Sequence, residues 1–271
     1  MSAFLGTAGN LIELPIYNAK PTVAHDRAAS TKRTLGGRVK VLRGARPRRV
    51  WTVSSERLTP AESAAIMALE LGGTPPWVWV EPLARVTNLL SPEQSVLAPG
   101  TWSGTGVVQG GSVRVGGAFS PRSVSHADGG FVDFIFRAAG DVDQPAVVPG
   151  IPVSVSAYLR GSGVLGISWR NYANTPISNN QKSYNNASLA RVSMVNLIPP
   201  AGAATAYIWA SGITQAAMPA LTWTKGLADW SVGRGCNRAV IEGLSEAGQE
   251  AIFADPGASR SALSFTIREV G

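Results

Sequence analysis

Apolar and polar residues alternate along many short segments of the chain, a period of two that is typical of β-strands with one buried face. The clearest segment is 153–160, in which the odd positions from Val153 to Leu159 are apolar and the even positions from Ser154 to Arg160 are mostly polar. We expect the odd positions to face a core and the even positions to face outward. Further strands are predicted at 131–136, 165–169, 190–195, 204–210, 221–224 and 261–270.

Turns separate the predicted strands of the region 87–254 at intervals of roughly ten residues, the spacing of a β-sandwich. The polar segment 171–188 has no periodicity and is therefore predicted to be a long surface loop. The chain contains 30 Gly and 18 Pro, and charged residues make up 15% of it. This composition favours short strands and tight turns, so the predicted fold class is mainly β.

The region before residue 87 combines a predicted hairpin, a helix and an extended segment. Segments 34–43 and 46–55 alternate on either side of a short turn, which indicates a hairpin. Thr59 is a helix-capping residue, Pro60 suits the first helical turn and Glu62 completes a capping box, so a helix is predicted from there to the glycines at 72 and 73. Segment 76–82 is bounded by prolines, which favours an edge strand or an arm.

The domain organisation is predicted from the strand at 261–270, which needs a sheet to join. Region 1–86 has too few strands to cover a core alone. If strand 261–270 joins the sheet of that region, the strand gains a sheet and the region gains the strand that it lacks. We therefore predict a small β-rich domain with one helix from residues 1–86 and 255–271, and an inserted antiparallel β-sandwich from residues 87–254. In particular, residues 263–267 should pair in the same sheet as strands from 34–55.

Composition excludes several classes of protein. The longest apolar runs, such as 64–69, fall far below the roughly 20 residues that cross a bilayer, so no membrane insertion is expected. Residues 1–10 lack the features of a secretory signal, which favours synthesis in a cytosol. The single cysteine, Cys236, excludes an internal disulfide and is expected to be a small packed residue rather than a nucleophile.

Positive charge is concentrated in residues 20–57, which contain eleven Lys or Arg and two acidic residues. This segment has a net charge of +9, whereas the whole chain has a net charge of +7. A basic segment can bind nucleic acid or an acidic protein surface. Here Arg43, Arg46, Arg48 and Arg49 flank strand-like alternation rather than a recognition helix, which favours an assembly interface. No nucleic-acid partner is predicted.

Catalytic signals are absent from the sequence. His25 and His126 lie in polar contexts without metal-ligand spacing, and the carboxylates show no local signature of glycoside hydrolysis. Segments 126–128 and 141–143 could supply oxygen ligands to calcium, although solvated loops are the favoured interpretation. We predict no catalytic, cofactor-binding or metal-binding residue, no cofactor, and a chain that is not an enzyme.

Exposed aromatic rings are the remaining functional signal, since sugars stack their apolar faces on such rings. Tyr207 and Trp209 share one face of a predicted strand, opposite Ala206, Ile208 and Ala210. If the small and aliphatic side chains form the core, both rings point outward and could contact a glycan or a neighbouring subunit. The alternative is that they pack beneath the predicted loop 171–188.

Six stretches of the chain carry a resemblance to a known family. They are 48–54 leading into the capped helix, 76–82, 88–92, 149–152, 199–206, and 230–244 with the closing 264–267. Their order resembles that of minor tail proteins of long-tailed phages that infect actinobacteria, in which a β-rich tail-attachment domain is interrupted by a jelly roll similar to carbohydrate-binding modules. One departure is Asn237, where a proline is expected before the strand.

The resemblance implies a structural, non-enzymatic component of the virion tail, made in the host cytoplasm. It would assemble at the tail tip, in a ring with copies of itself and with other tail proteins. The residues expected at the subunit interface are Arg43, Arg46, Arg48, Arg49, Trp77 and Trp79. The alternative is an adhesin for host cell-surface glycans, with Tyr207 and Trp209 as the contacts.

Overall fold

The computed structural model describes residues 2–15, 22–26, 29–34, 36–43, 48–135, 143–250 and 258–270. These residues form mainly β structure in antiparallel sheets, as predicted. The strands are β1 (Ser2–Thr7), β2 (Asn10–Pro15), β3 (Thr22–Asp26), β4 (Ala29–Arg33), β5 (Val39–Arg43), β6 (Arg48–Leu58), β7 (Trp77–Val80), β8 (Val108–Gly110), β9 (Val113–Val115), β10 (Ala118–Ser120), β11 (Ser123–Asp133), β12 (Val153–Arg170), β13 (Pro176–Leu197), β14 (Thr205–Thr222), β15 (Cys236–Glu250) and β16 (Arg260–Glu269). The helices are α1 (Pro60–Gly72), α2 (Pro82–Thr87) and α3 (Pro92–Ser95).

The chain divides into two compact units, and each is discontinuous in sequence. Unit 1 contains residues 1–3, 12–77 and 238–271, and unit 2 contains residues 4–11 and 78–237. The expected boundaries were 87 and 254. The structure moves the first of them earlier, assigns most of β15 to unit 1, and adds a short early segment to unit 2.

In unit 1, strands β15, β16, β6 and β3 lie side by side in that order. Strand β16 pairs antiparallel with β6, with Phe265 opposite Val53 and Ile267 opposite Trp51. All four side chains are buried. The expected pairing of 263–267 with a strand from 34–55 is therefore confirmed.

The predicted hairpin of 34–43 with 46–55 is wrong. Strand β5 pairs with β4, with Val41 opposite Thr31, whereas β6 pairs with β3 and β16. The turn between β4 and β5 is closed by hydrogen bonds from the backbone N–H of Thr34 to the carbonyl of Arg38 and from Gly37 N–H to the carbonyl of Thr34. Alternation identified both strands, but it could not identify their partners.

Helix α1 begins at the predicted capping box. The side chain of Thr59 accepts a hydrogen bond from the backbone N–H of Glu62 at 3.3 Å, and the Glu62 carboxylate accepts one from the backbone N–H of Thr59 at 2.8 Å. These bonds satisfy two of the backbone N–H groups that a helix start leaves unpaired. Ile66 is fully buried on the inner side of the helix.

Segment 76–82 is neither an arm nor an exposed edge. Strand β7 pairs with β1, with Trp79 opposite Leu5, and all four of its residues are buried. Trp77 is 4% exposed and Trp79 is fully buried. The apolar sequence of this segment therefore reflects core packing rather than a surface for another subunit.

Unit 2 is built on a five-stranded antiparallel sheet in the order β13, β12, β14, β11, β8. One face, which we call the inner face, packs on the main core of the unit, where Val153, Val155, Ala157 and Leu159 are fully buried as predicted. The same core includes Phe4 of β1, Val78 and Val80 of β7, and apolar residues of the segments after β7.

The opposite, outer face of the sheet was expected to be solvent-exposed, and this is only partly so. Ser154, Ser156 and Tyr158 of β12 are buried. Tyr158 packs with Ala217 and Met218 beneath the small hairpin of β9 and β10 and beside Trp230. Alternation within one strand cannot reveal such a cover, because the covering residues lie elsewhere in the chain.

The predicted loop 171–188 is wrong as well. The turn between β12 and β13 is confined to residues 171–175, and β13 continues from Pro176 to Leu197 with β12 as its partner. Residues 176–183 are exposed on both faces, because β13 is at the edge of the sheet and its first half has no covering layer. A strand that is polar on both faces lacks the alternation by which strands are recognised.

Candidate functional site

A cluster of aromatic and charged side chains occupies the uncovered part of the outer face in unit 2. We call it the aromatic platform, and it consists of Phe131, Asp133, Arg170, Tyr207 and Trp209. Strand β14 buries the alternate residues Ala206, Ile208 and Ala210 on the inner face, so Tyr207 and Trp209 point outward. This is the orientation predicted from the sequence. Because 171–188 is not a loop, the alternative of packing beneath it does not apply.

The rings of Phe131 and Trp209 form the open part of the platform. Their centroids are 5.6 Å apart with an interplanar angle of 29°, an offset-stacked arrangement that aromatic pairs favour. Phe131 remains 41% exposed, and Trp209 is half-buried. Strand β12 lies on the side of β14 away from Phe131, and its Gly166 is paired with Trp209. The indole of Trp209 lies over Gly166, because glycine has no side chain to occupy that space.

Tyr207 is covered rather than open. The guanidinium of Arg170 lies over its ring, with the central carbon 4.4 Å from the ring centroid. A cation in this position is attracted by the electron-rich face of the ring. Of the two rings selected from the sequence, Tyr207 is covered by a charged group, whereas Trp209 is half-buried and stacks with Phe131.

A hydrogen-bond network fixes the position of Arg170. Its Nη1 donates to the carbonyl and to Oδ1 of Asn174, at 3.2 and 3.1 Å. Oδ1 of Asn174 also accepts a bond from Nε2 of Gln144 at 3.0 Å, and Oε1 of Gln144 accepts one from the hydroxyl of Thr205 at 2.6 Å. Asn174 has a φ of +62°, a left-handed conformation that Asn tolerates in tight turns.

Asp133 lies across from Trp209 on the neighbouring strand β11. Burial raises the pKa of its carboxyl above the ordinary value of 3.8, and this effect exceeds the opposing influence of the Tyr207 hydroxyl and the Arg170 charge. The pKa of the Tyr207 hydroxyl is raised as well. Burial is the largest cause, and the hydrogen bond and negative charge of Asp133 add to it. Oδ1 of Asp133 and Nε of Arg170 are buried, and neither has a hydrogen-bond partner among the residues that the structure describes.

Exposed carboxamides lie beside the platform on β13. Gly166 is paired with Trp209 on one side and with Gln181 on the other, while Ser168 is paired with Tyr207 and Asn179. Residues opposite one another in an antiparallel pair share a face of the sheet. Gln181 and Asn179 are both exposed, so each row offers an aromatic ring, a small residue and an amide.

The residues expected at a subunit interface are not brought together by the structure. Arg49 is 5% exposed, and its guanidinium is paired with Glu269 of the same chain through Nη2 to Oε1 at 2.8 Å and Nε to Oε2 at 3.0 Å. It also lies 5.0 Å from the ring of Trp51. Arg49, Trp77 and Trp79 thus belong to the interior, and their expected role at an interface is corrected.

The other three interface candidates have different outcomes. Arg48 is exposed on β6, opposite Asp26 of β3. Arg43 ends β5 opposite Ala29, and its side chain lies outside the described atoms. Arg46 lies outside the described residues. Of the predicted set, Arg48 is the residue whose side chain can be placed on the surface.

Other candidate chemistry finds little support in the described ranges. They contain no group of three or more His, Cys, Asp and Glu side chains that could hold a metal ion. His126 accepts a hydrogen bond at Nδ1 from the backbone N–H of Asp128 at 3.1 Å. Cys236 is buried. Within the same ranges, no helix is long and apolar enough to cross a membrane.

Three platform residues were not predicted from the sequence: Phe131, Asp133 and Arg170. Phe131 and Asp133 flank Val132 in a strand that was predicted, so their common outward face was available as a signal. Their place beside Trp209 was not, because it depends on the pairing of β11 with β14. Arg170 ends β12, and its position over Tyr207 depends on the turn at 171–175.

No family model and no curated protein matches the chain. Among solved structures, it is similar to the enzymatically active domain of tailspike protein 4 of bacteriophage CBA120, with 13% identity and a TM-score of 0.38 over 50% of this chain and 21% of that one. It is also similar to a carbohydrate-binding module of the β-sandwich superfamily, with 13% identity and a TM-score of 0.26 over 83% of this chain and 86% of that one.

A third likeness is to the CBM22-1 and GH10 modules of a Clostridium thermocellum endo-1,4-β-D-xylanase, with 13% identity and a TM-score of 0.29 over 45% of this chain and 26% of that one. The chain thus spans about a fifth of the tailspike domain and about a quarter of the xylanase. TM-scores and identities this low assign neither an activity nor a ligand to the chain.

Proposed function

We propose that unit 2 binds glycans of a bacterial cell surface through the aromatic platform. The observation that carries the proposal is the offset-stacked pair of Phe131 and Trp209 on an uncovered sheet face. Exposed rings stack on the apolar faces of sugars, and polar groups around them supply hydrogen bonds. Asp133, Arg170 and the neighbouring carboxamides are such groups.

The proposed function is binding without catalysis. Glycoside hydrolysis generally requires two carboxyl groups on either side of the scissile bond. Of the five platform residues, Asp133 alone carries a carboxylate, and it interacts with Tyr207. A binding role uses all five residues, whereas a hydrolytic role would lack a second carboxylate among them.

The biological setting that we propose is the tail tip of a bacteriophage. It rests on the resemblance of six stretches, in order, to minor tail proteins of actinobacteria-infecting phages. A virion carries several copies of its tail-tip proteins, so several weak glycan sites can act together through a high effective concentration. Strong attachment does not then require a tight single site.

The glycan proposal is tested with the full chain, because the core of unit 2 includes Phe4, Val78 and Val80, which a fragment of 87–254 would lack. Titration calorimetry with galactan, mannan and dextran should detect millimolar or tighter binding of at least one. The double variant Phe131→Ala, Trp209→Ala should lose at least tenfold in affinity. The matched control is Phe119→Ala, since Phe119 is 50% exposed in the same unit but outside the platform.

Two results would reject glycan binding by the platform. One is the absence of binding to every polysaccharide by the unmodified chain. The other is equal affinity of the unmodified chain and the double variant. If Phe119→Ala lowered the affinity as much as the double variant, the binding surface would lie elsewhere in unit 2.

A second candidate function, assembly with other copies and other tail proteins, is supported by the hairpin of β4 and β5. It forms a two-stranded sheet of its own, and its described side chains are exposed. Val39, Val41 and Leu42 are 56%, 52% and 57% exposed. A lone hairpin is marginally stable in water, so these apolar residues favour a partner in the assembled tail.

The charge of this hairpin favours an acidic partner surface. Residues 29–43 contain Lys32, Arg33, Arg38, Lys40 and Arg43 and no acidic residue. Basic side chains around an apolar patch steer a complementary surface into contact and fix its register. The proposed occupant is a neighbouring subunit in the tail-tip ring.

The assembly role is tested by the variant Val39→Ser, Val41→Ser, Leu42→Ser. It should remain folded but fail to enter virions in a complementation assay, and it should shift the chain towards monomers in mass photometry. Leu71→Ser is the matched control, because Leu71 is 79% exposed on α1 of the same unit. Normal incorporation of the triple variant would exclude the hairpin as an assembly contact.

A further inference from the structure

Strand β11 carries a bulge immediately before Phe131 of the platform. Two neighbouring pairings with β14, at Ser125 and at Gly130, are separated by four residues on β11 but by Thr214 alone on β14. We call the four residues, 126–129, the β11 bulge. Extra residues of this kind bend a strand and redirect the side chains beside them. The direction of Phe131 therefore depends on the conformation of the bulge.

The side chain of His126 stabilises the bulge. Its Nδ1 accepts a hydrogen bond from the backbone N–H of Asp128 at 3.1 Å. Its ring lies against the backbone of Gly130, since a Cβ atom built on that glycine would stand 2.4 Å from Cδ2 and 2.6 Å from Cγ of the imidazole. A Cβ atom built on Gly106 would stand 2.6 Å from Nε2. The ring thus occupies a space that exists because positions 106 and 130 have no side chains.

Gly130 connects the His126 ring to the platform. It is opposite Ile213, which is fully buried on the inner face. Paired residues share a face, so the ring of His126 fills the inner-face position that a side chain at 130 would take. The next residue, Phe131, stacks with Trp209 on the outer face. A shift of the imidazole would therefore reach the ring of Phe131 through a single peptide unit.

We propose that His126 is a positioning residue for glycan binding, whose neutral ring sets the direction of Phe131 and whose protonation disturbs it. The inference rests on the proposed glycan-binding function and adds a pH-dependent control of the same site. An imidazole nitrogen that accepts a hydrogen bond carries no hydrogen, so the bond from Asp128 requires a neutral ring with its hydrogen on Nε2. Protonation places a second hydrogen on Nδ1, where it faces the N–H of Asp128, and the bond is lost. Histidine ordinarily changes its charge between pH 5 and 8.

The segments around the ring contain few charged groups. Segment 103–107, which carries Gly106, has no titratable residue, and segment 210–215 of β14 has none either. On β11 itself, Asp128 is exposed and Asp133 belongs to the platform. Burial raises the pKa of Asp133 above 3.8, so the experiment has to separate its titration from that of His126.

Nuclear magnetic resonance of the full chain tests the positioning without a glycan. Long-range 1H–15N spectra should place the hydrogen of His126 on Nε2 at pH 8, and the amide of Phe131 should titrate in step with the imidazole. In His126→Asn, the new amide oxygen can accept from the N–H two residues on, as asparagine does in turns, and it has no charge to change. The Phe131 amide of that variant should not move between pH 8 and pH 6. His25→Asn is the matched control, because His25 is exposed in unit 1.

Titration calorimetry links this position to binding, with the tightest ligand among galactan, mannan and dextran. The affinity of the unmodified chain should fall about threefold or more between pH 8 and pH 6, as the neutral ring is lost. His126→Phe keeps a ring without an acceptor, so it should bind about fivefold more weakly at pH 8, the effect of one hydrogen bond, and lose little more at pH 6. His126→Asn should stay within about threefold of the unmodified chain at pH 8 and show no fall at pH 6, because its acceptor does not titrate.

A second variant tests the same contact without removing the imidazole. Gly130→Ala keeps the acceptor but takes the space of the His126 ring, so it should weaken binding about fivefold or more at pH 8. Asp133→Asn should still show the fall between pH 8 and pH 6, which would exclude the Asp133 carboxyl as its cause. His25→Asn should bind like the unmodified chain at both pH values.

Three outcomes overturn the inference. The first is equal affinity of the unmodified chain at pH 8 and pH 6. The second is a weaker His126→Asn whose pH profile keeps its slope, because that result describes a purely structural effect. The third is a fall that Asp133→Asn removes and His126→Asn retains. If Phe131→Ala, Trp209→Ala still abolishes binding in any of these cases, glycan binding by the platform stands without the control by His126. Failure of the unmodified chain to bind any of the three polysaccharides rejects both.

Discussion

The indole of Trp209 lies so close over Gly166 that a side chain at position 166 would collide with it. A Cβ atom built on Gly166 stands 2.2 Å from Cε2 and 2.4 Å from Cζ2 of the indole. The two residues are opposite each other on β14 and β12. The indole of Trp209 therefore packs directly against the backbone of Gly166, and its orientation depends on the absence of a side chain at position 166.

Gly166→Ala should displace the Trp209 ring. The added methyl group forces the indole to tilt or β12 to shift, which for an overpacked site costs about 1–3 kcal/mol. We expect a loss of at least tenfold in glycan affinity and a changed tryptophan fluorescence spectrum. Gly226→Ala is the control, because no described atom beyond its two chain neighbours lies within 4 Å of a Cβ at that position. Unchanged affinity in Gly166→Ala would show that the position of the indole does not matter for binding.

Glu269→Gln should destabilise unit 1 by about 3–5 kcal/mol, because it leaves the charge of buried Arg49 without its carboxylate. Urea unfolding measures the effect. Glu242→Gln is the control: Glu242 pairs with Arg268 at 3.0 Å, but its side chain is 46% exposed, so we expect a loss of about 0–1 kcal/mol. Similar losses in the two variants would mean that burial of the Arg49 pair contributes nothing.

Burial of Arg49 also decides where the assembly role can be tested. Replacing Arg49 would damage the fold itself, so a failure of that variant to enter virions would say nothing about contacts between subunits. The exposed hairpin residues avoid this ambiguity.

Tyr184 should ionise late in an alkaline titration. Burial raises the pKa of Tyr184 to about 12, and its hydroxyl donates a hydrogen bond to the carbonyl of Ser211 at 2.7 Å. A raised pKa stabilises the folded state fully below the unfolded pKa near 10, and this contribution is lost as the pH rises from about 10 to about 12. Ultraviolet absorbance of tyrosinate should show a step near 12 that disappears in Tyr184→Phe. Were the folded and urea-unfolded chains to titrate alike, the burial effect would be refuted.

Thr59→Ala should cost about 1 kcal/mol of stability, within the usual range of about 0.5–2 for a lost N-cap. The substitution removes the acceptor for the backbone N–H of Glu62. Thr59→Ser keeps a hydroxyl at that position and should retain most of the stability. Thermal unfolding of the two variants provides the comparison, and an equal loss in both would assign the effect to the methyl group of Thr59 rather than to the cap.

Local signals predicted much of the fold. The capping box needs only Thr59 and Glu62, which lie three residues apart, and it is present. The inner face of β12 follows from the alternation that begins at Val153, because the main core covers that face from Val153 to Leu159. The outward direction of Trp209 follows from its buried neighbours Ile208 and Ala210 in the same way.

Features that depend on contacts between distant parts of the chain could not be predicted from the sequence. The partner of β5 depends on which of two basic, alternating strands lies beside it. Arg49 has the sequence context of a surface residue, yet its carboxylate partner is Glu269, 220 positions away. The platform likewise joins residues from three strands, so its polar members Asp133 and Arg170 became recognisable only through the register of β11, β12 and β14.

The separation between β6 and β16 has a consequence for synthesis of the chain. Most of unit 2, residues 78–237, is made between these strands. Its long strands β12, β13 and β14 are neighbours in sequence, so their contacts close over short loops. We expect unit 2 to fold on the ribosome while β6 still lacks β16 and presents an unpaired, aggregation-prone edge. Chains truncated after residue 250 and released should therefore yield a protease-resistant unit 2 together with a cleavable segment 22–77. During that interval a chaperone that covers an apolar strand would protect this chain most.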